Sequence, residues 1–451
     1  MRCPYALRIR SFNAQQTRKL LVERLTAVPR HIATLLAVAI GTGFLACLNS
    51  VSLPVSLAEW GHSVLWITGT IAVSALSASP NFRLLALYSL LLTASFVTLR
   101  PAAGIAAVLY TGQGELLQDW WLPFANPGFV SQALVWTLPL LSIVRLLPLG
   151  KRKAIIGNCC SVFSVTGFMM MFWAGGRGAI GAILVAMVIA FAVTRDETPY
   201  RSPTFLILLH LIAGALLSVA VRNLLTLVTQ SAYQGEALIR PGLSLRDVLW
   251  QRALDMVLAN PLLGEGPGHF AIFDGPDFLA AHPHNLILQL ASEWGLPAAI
   301  SFVFIWINLI RTFAKKLSSA RQTDESPEQL ATGEALLITV IGASVLAMFD
   351  GVLVMPWSTL LGAIVCGMSI HWSSNCSKIT LQSSGASVPA DALLKGFAAI
   401  AVTASIATCW GGWTLRSCHE LNNTDKTTSH RYLNPRFWLD GRLSPEQSCF
   451  R

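Results

Sequence analysis

The sequence predicts an all-α fold: a polytopic integral membrane bundle of about 11 helical spans (10 to 12) with one large periplasmic loop. Only 12% of the 451 residues are charged, about half the share of an average soluble domain. The mean hydropathy is +0.57, and mostly apolar stretches recur that are long enough to cross a bilayer core of about 30 Å. The alternating pattern of an outer-membrane barrel is absent.

Eleven segments are predicted to span the membrane. They are residues 31–49, 62–78, 84–99, 129–147, 154–173, 178–194, 203–221, 295–313, 333–350, 353–372 and 393–413. Residues 101–110 are apolar but too short to span, so we expect them to be re-entrant or interfacial. If they did span, the topology of everything after them would be inverted.

Basic residues set the orientation of these spans. Seven Lys and Arg residues precede the first span, which places the N-terminus in the cytoplasm by the positive-inside rule. Alternation then brings four further basic segments to the same side: Arg83, residues 151–153, Arg195 with Arg201, and RTFAKKLSSAR. The net charge of +9 therefore reflects topology, and the expected partners are membrane lipids and not nucleic acid.

The topology divides the chain into five regions. These are a cytoplasmic basic N-terminus (1–30), an N-terminal transmembrane bundle (31–221), a periplasmic loop (222–283), a C-terminal transmembrane bundle (284–413) and a periplasmic tail (414–451). Cys418 and Cys449 both fall in the tail, where a disulfide and two free thiols are open alternatives. No cysteine and histidine spacing predicts a metal site.

Several arginines fall on the periplasmic side, where positive charge is unexpected. They are Arg177, Arg222, Arg240, Arg246 and Arg252. A guanidinium stays charged and pairs with phosphate oxygens in a bidentate manner, which predicts an anionic lipid-linked ligand such as a diphosphate. Arg222 and Arg240 are expected to pair with loop acids or lipid headgroups. Arg177 lies between glycines with no acid nearby in sequence and is a candidate for ligand contact.

A short helix is predicted to begin near Arg246 and to end near Asn260, because Pro261 disfavours its continuation. Arg246 and Arg252 are about 240° apart around such a helix, so both cannot face one site directly. We favour Arg246, because the helix N-terminus also attracts anions. The following GEGPGH predicts a tight turn, since it matches no phosphate-binding fingerprint.

The HPHN segment, residues 282–285, precedes an apolar stretch. Pro283 suits a helix start and Gly295 a helix end, which predicts a helix over 284–294. His284 is the candidate general base, because histidine exchanges protons near neutral pH. Glu293 lies about half a turn away and is not expected to orient it. The alternative is a pair of interfacial histidines bonded to backbone or headgroups.

These motifs resemble those of the O-antigen ligase and polymerase superfamily. HPHN followed by LILQLASEWG is similar to its histidine signature, although Ala298 stands where the family has Gly, Thr or Tyr. GGRGA around Arg177 is similar to its Ser-Arg-Gly element, with Gly176 in place of serine. The segment from Arg246 through ANPLLGEGPGHF also resembles the family, and the similar region runs from about 177 to 361.

The resemblance implies a metal-independent, cofactor-free glycosyltransferase of the bacterial inner membrane, with its active site facing the periplasm. Its donor would be a glycan on undecaprenyl diphosphate, and its acceptor a lipid A–core sugar or a pilin Ser or Thr. His284 would be the base. The candidate substrate-binding residues are Arg177, Arg246, Asn285, Arg252 and His282. The alternatives are a polymerase of the same superfamily and a lipid-linked glycan transporter or flippase.

Overall fold

The computed structural model describes residues 14–113, 127–147, 153–194, 202–229, 246–271, 280–322, 325–375 and 390–422. Within these ranges the chain forms fourteen α-helices, two short 3-10 turns and no strand. The predicted all-α class is therefore confirmed.

The first eight helices are α1 (Ala14–Thr26), α2 (Arg30–Leu48), α3 (Leu53–Leu76), α4 (Pro80–Thr111), α5 (Pro127–Ser142), α6 (Lys153–Trp173), α7 (Arg177–Thr194) and α8 (Pro203–Thr229). The other six are α9 (Arg246–Ala259), α10 (Leu286–Trp294), α11 (Leu296–Arg321), α12 (Pro327–Leu346), α13 (Pro356–Asn375) and α14 (Ala390–Asn422). Each of the eleven predicted spans coincides with a helix, namely α2 to α8 and α11 to α14.

Eight of the described helices are long and apolar enough to cross a membrane: α2, α4, α5 with the 3-10 turn after it, α6, α8, α11, α12 and α14. Large apolar side chains also point outward, such as Leu92, Leu216 and Ile406, each more than half exposed. Exposure of such a continuous apolar surface to water is unfavourable, whereas the hydrocarbon chains of lipids cover it favourably. The protein is therefore a polytopic helical membrane protein.

Helix α4 corrects the interpretation of residues 101–110. The segment is neither re-entrant nor a separate span, because α4 continues through Pro101 to Thr111. Its 32 residues extend over about 48 Å at 1.5 Å per residue, so the helix projects beyond the bilayer core. A proline within a membrane helix is tolerated where neighbouring helices pack against it, and Pro101 is buried.

Helices α5 and α12 form the centre of the bundle. The apolar stretch of α5 is 89% buried and that of α12 is 72% buried, against 17% for α2 and 11% for α14. Helix α12 packs against both α5 and α7. Segments that leave the ends of these central helices consequently meet in the middle of one end of the bundle.

Side-chain contacts distinguish the two ends. At one of them, which we call the site end, Gln132 near the start of α5 contacts Asp350 just after α12. At the opposite end, Arg321 of α11 pairs with the buried Glu334 of α12 at 2.7 Å. Glu334 also accepts hydrogen bonds from Ser202 and Thr204 at the start of α8.

Candidate active site

The segment before α10 presents His284 on a strained backbone. Its φ of 51° makes His284 the one non-glycine residue with positive φ among the described residues, a conformation that side chains with a Cβ rarely adopt. Three hydrogen bonds hold the segment: the His284 N–H donates to His282 Nδ1 (3.2 Å), Trp250 Nε1 donates to the Pro283 carbonyl (3.0 Å) and the Leu286 N–H donates to the Ala347 carbonyl (2.9 Å). Such strain persists where surrounding contacts enforce it, and functional sites are where it clusters.

The helix begins later than predicted. Helix α10 starts at Leu286, and Asn285 is its N-cap, with its Oδ1 accepting the Leu288 N–H at 3.0 Å. The prediction that Pro283 starts the helix and that His284 belongs to it was wrong. The Asn285 side chain accepts an N–H of the first turn, which fixes Asn285 as the N-cap and leaves His284 outside the helix. Gly295 ends the helix with a φ of 86°, as expected. In the described structure the Asn285 side chain therefore acts as the N-cap of α10.

Asp350 is the partner of His284 that the sequence did not reveal. His284 Nδ1 lies 3.5 Å from Asp350 Oδ1. The same oxygen accepts the Gly351 N–H at 2.7 Å and the Gln132 side-chain N–H at 2.8 Å. The His284 side chain is 27% exposed, and Nδ1 is its buried nitrogen. The open edge of the ring is therefore the one that carries Nε2.

The ring of His282 packs against the ring of His284. Its side chain is buried, and its ring centroid lies 4.1 Å from that of His284. Gly351 approaches the ring so closely that a Cβ there would lie 2.6 Å from both Cε1 and Nε2. A side chain at this position would therefore displace the His282 ring, which packs between Gly351 and His284.

The two arginines of α9 point to different places, as their spacing predicts. Arg246 is the first residue of α9, and its Nε donates to the carbonyl of Phe349 at 3.2 Å, directly before Asp350. The guanidinium of Arg252 instead lies 4.9 Å over the ring of Phe270. Arg246 is therefore the one of the two that joins the His284 site.

The glycine-rich segment forms a tight turn, as predicted, and packs on the end of α10. The Gly266 N–H donates to the carbonyl of Glu293 at 3.0 Å. Burial raises the pKa of Glu265, with Arg252 opposing and Glu293 reinforcing that shift. The Glu293 carboxylate is fully buried and accepts the Phe270 N–H at 3.1 Å. It is thus committed to this turn and not to His284.

Arg177 starts α7 at the same end of the bundle. Its neighbour Gly178 faces Leu346 at the end of α12, so the start of α7 lies at the same end of the bundle as Asp350. A Cβ at Gly176 would lie 2.2 Å from Ser131 Oγ. A serine at this position would therefore require Ser131 to move, and its Cβ would also lie 2.9 Å from the Met171 carbonyl oxygen.

The remaining predicted residues take no part in the contacts above or fall outside the described residues. Arg222 lies in the second half of α8. Arg240, Cys449 and the side chain of Cys418 fall outside the described residues, so the predictions on them remain predictions. The sequence reasoning missed Asp350 and Gln132. The sequence offered one indication of each: a polar residue near the end of a predicted span, on the side predicted to be periplasmic.

Fold and site together define a polytopic helical membrane protein with a histidine, a carboxylate and arginines gathered at one end of its bundle. Residues 162–303 match the family model described as O-antigen ligase. The chain is therefore similar to the O-antigen ligase superfamily over about a third of its length, in agreement with the resemblance of its motifs. No curated protein matches the chain significantly. Arg177, Arg246 and His284 lie inside the matched region, whereas Gln132 and Asp350 lie outside it.

Proposed function

We propose that this protein transfers a glycan from undecaprenyl diphosphate to an acceptor hydroxyl, with His284 as the general base. The observation that carries the proposal is the placement of His284 between Asp350 and open space. Asp350 faces Nδ1 at 3.5 Å, so it favours the tautomer with its proton on Nδ1. That leaves Nε2 as the proton acceptor on the exposed edge.

The proposed reaction is one displacement. Nε2 of His284 takes the proton of the acceptor hydroxyl while the hydroxyl oxygen attacks the anomeric carbon of the donor sugar. A carbon–oxygen bond forms to the acceptor, and the bond from the sugar to the diphosphate breaks. The imidazolium that results is stabilised by Asp350, and undecaprenyl diphosphate departs with the electron pair. Contacts between histidine and carboxylate are often long in the free enzyme and shorten when substrate binds.

The leaving group needs positive charge, which Arg177 and Arg246 supply in this proposal. Both start helices at the site end, so the helix dipole adds to the guanidinium charge. The proposal assigns neutralisation of the diphosphate to these two arginines.

The orientation and the acceptor complete the proposal. We place the site end in the periplasm, because Arg24, Arg145 and Lys316 all contribute to contacts at the opposite end, and basic residues favour the cytoplasmic side. The acceptor is a lipid A–core sugar or a pilin Ser or Thr. Polymerisation of lipid-linked glycans would use the same chemistry with a growing chain as acceptor.

The test is transfer by the purified full-length protein, with an undecaprenyl-diphosphate-linked oligosaccharide as donor. Lipid A–core, pilin and a second lipid-linked oligosaccharide serve separately as acceptors, and released undecaprenyl diphosphate is measured. We expect His284→Ala to lose about 100-fold or more of the rate and Asp350→Asn about tenfold or more. EDTA should not change the rate of the wild type.

The matched control is His31→Ala, an exposed histidine at the start of α2, which should retain full activity. A wild-type rate for His284→Ala would refute the assignment of the base. Loss of activity in EDTA that Mg²⁺ or Mn²⁺ restores would refute the metal-independent route.

A further inference from the structure

Gln132 lies beneath the carboxylate of the site. It belongs to the first turns of the buried helix α5, and its side chain is only 1% exposed. Its Nε2 donates to Asp350 Oδ1 at 2.8 Å. This oxygen is also the one that faces His284 Nδ1. Gln132 thus touches the single atom through which Asp350 orients the histidine.

The chemistry of the contact fixes which end of the amide faces Asp350. Oδ1 already accepts the Gly351 N–H, and a carboxylate oxygen would repel an amide oxygen at this distance. The NH₂ group of Gln132 must therefore face Asp350. The amide oxygen is consequently turned away, and it is buried with no hydrogen-bond partner among the described residues.

That buried oxygen argues against a purely structural role. A buried acceptor without a donor lowers stability, and a leucine of similar size would remove this cost at a position enclosed by apolar helices. The amide therefore contributes something that packing does not require. Its one polar contact in the described part of the molecule is with Asp350.

We propose that Gln132 is a positioning residue of the transferase: it holds the Asp350 carboxylate in the orientation that presents His284 as a base. The proposal rests on the proposed function. Two N–H donors on one oxygen, from Gln132 and Gly351, restrain the carboxylate from rotating away from His284. Without Gln132, only the backbone N–H of Gly351 among the described contacts would restrain that oxygen.

The charges around this pair define what a substitution would change. His282 packs against His284, Arg246 binds the carbonyl before Asp350, and Arg177 starts the neighbouring helix α7. Helix α5 contributes the neutral Gln132. A second carboxylate at position 132 would add negative charge next to Asp350 and would favour the protonated form of His284.

The experiment compares Gln132→Leu and Gln132→Glu with Thr137→Val, measuring kcat, KM, the pH–rate profile and the thermal midpoint of the full-length protein. Thr137 is buried five residues further along α5, and its described hydrogen bonds go to carbonyls of its own helix, so Thr137→Val should keep the wild-type rate. We expect Gln132→Leu to lower kcat about 10- to 100-fold, because misplacing a reacting group by about 1 Å has an effect of this size. KM for the donor should change little.

Two further readouts separate positioning from packing. The thermal midpoint of Gln132→Leu should equal or exceed that of the wild type, and the acid limb of the Gln132→Glu profile should move to higher pH. A lowered midpoint in Gln132→Leu, or wild-type kcat and pH profile in both variants, would overturn the proposal. The proposed function fails separately if His284→Ala is fully active, and it stands if only the Gln132 variants behave as wild type.

Discussion

His284 is held where an ordinary helix would not place it. Its positive φ costs of the order of 1–3 kcal/mol, and the hydrogen bonds from Trp250, to His282 and to the α12 end counterbalance that cost. Because Asn285 caps α10, the histidine ring leaves the helix surface and turns toward Asp350. Local strain and the proposed catalytic orientation of His284 therefore have the same origin.

At this scale the sequence could predict residue types but not their partners. His284 and Arg246 were identifiable because their chemistry is unusual beside an apolar span. Asp350 was not, since α10, α11 and α12 separate it from His284 along the chain. The two come together because the segment before α10 docks on the end of α12, where the Leu286 N–H donates to the Ala347 carbonyl, and periodicity carries no information on that contact.

The divergence of Arg246 and Arg252 gives a comparative prediction. Arg246→Lys should reduce kcat/KM about tenfold, equivalent to one charge-assisted hydrogen bond of about 1.5 kcal/mol. Lysine cannot keep both the Phe349 contact and a bidentate phosphate contact. Arg252→Lys should lose much less, because its guanidinium packs on Phe270. Kinetics on the two variants at equal membrane abundance make the comparison, and equal losses would contradict the choice of Arg246.

Helices were the most predictable elements, and their ends the least. All eleven predicted spans are helical, yet α4, α8 and α14 run on past the predicted ends, to Thr111, Thr229 and Asn422. Hydropathy predicts the part of a helix that lies in lipid. It does not predict the helix end, because outside lipid a helix continues as far as packing and capping stabilise it. The re-entrant interpretation of 101–110 failed for that reason.

The opposite end of the bundle offers a prediction on stability. Glu334 is fully buried and joins α12 to α11 and α8 through Arg321, Ser202 and Thr204. Removing one partner of a buried ion pair typically costs about 3–5 kcal/mol, so Glu334→Ala should lower the thermal midpoint and the membrane abundance.

The matched control for that variant is Glu328→Ala, which removes a partly exposed acid from the first turn of the same helix. It should change stability by about 1 kcal/mol or less. Glu334→Ala protein that reaches the membrane should keep the wild-type KM for the donor, because the pair lies far from the site end. Equal midpoints for the two variants would contradict the role assigned to Glu334.

On the scale of the whole molecule, the two central helices, α5 and α12, carry the residues on which the site is built. Gln132 lies on α5 and Asp350 follows α12, and these two helices are the most buried of the eight long apolar helices in the described part of the chain. The segments that carry His284 and Arg246 are then laid over their ends. A rigid centre thus supplies the groups that orient, while the overlying segments supply the groups proposed to touch substrate.

The most direct test of the central claim is complementation of a deletion strain. Pilin mass and lipopolysaccharide banding are recorded after expression of the wild type or of His284→Ala at equal membrane abundance. The account predicts that deletion removes one glycoconjugate, which is a pilin glycan mass, the polymer ladder on lipid A–core or ladder growth beyond one repeat. It also predicts that the wild type restores that product and His284→Ala does not. Full restoration by His284→Ala, or no glycoconjugate lost on deletion, would contradict it.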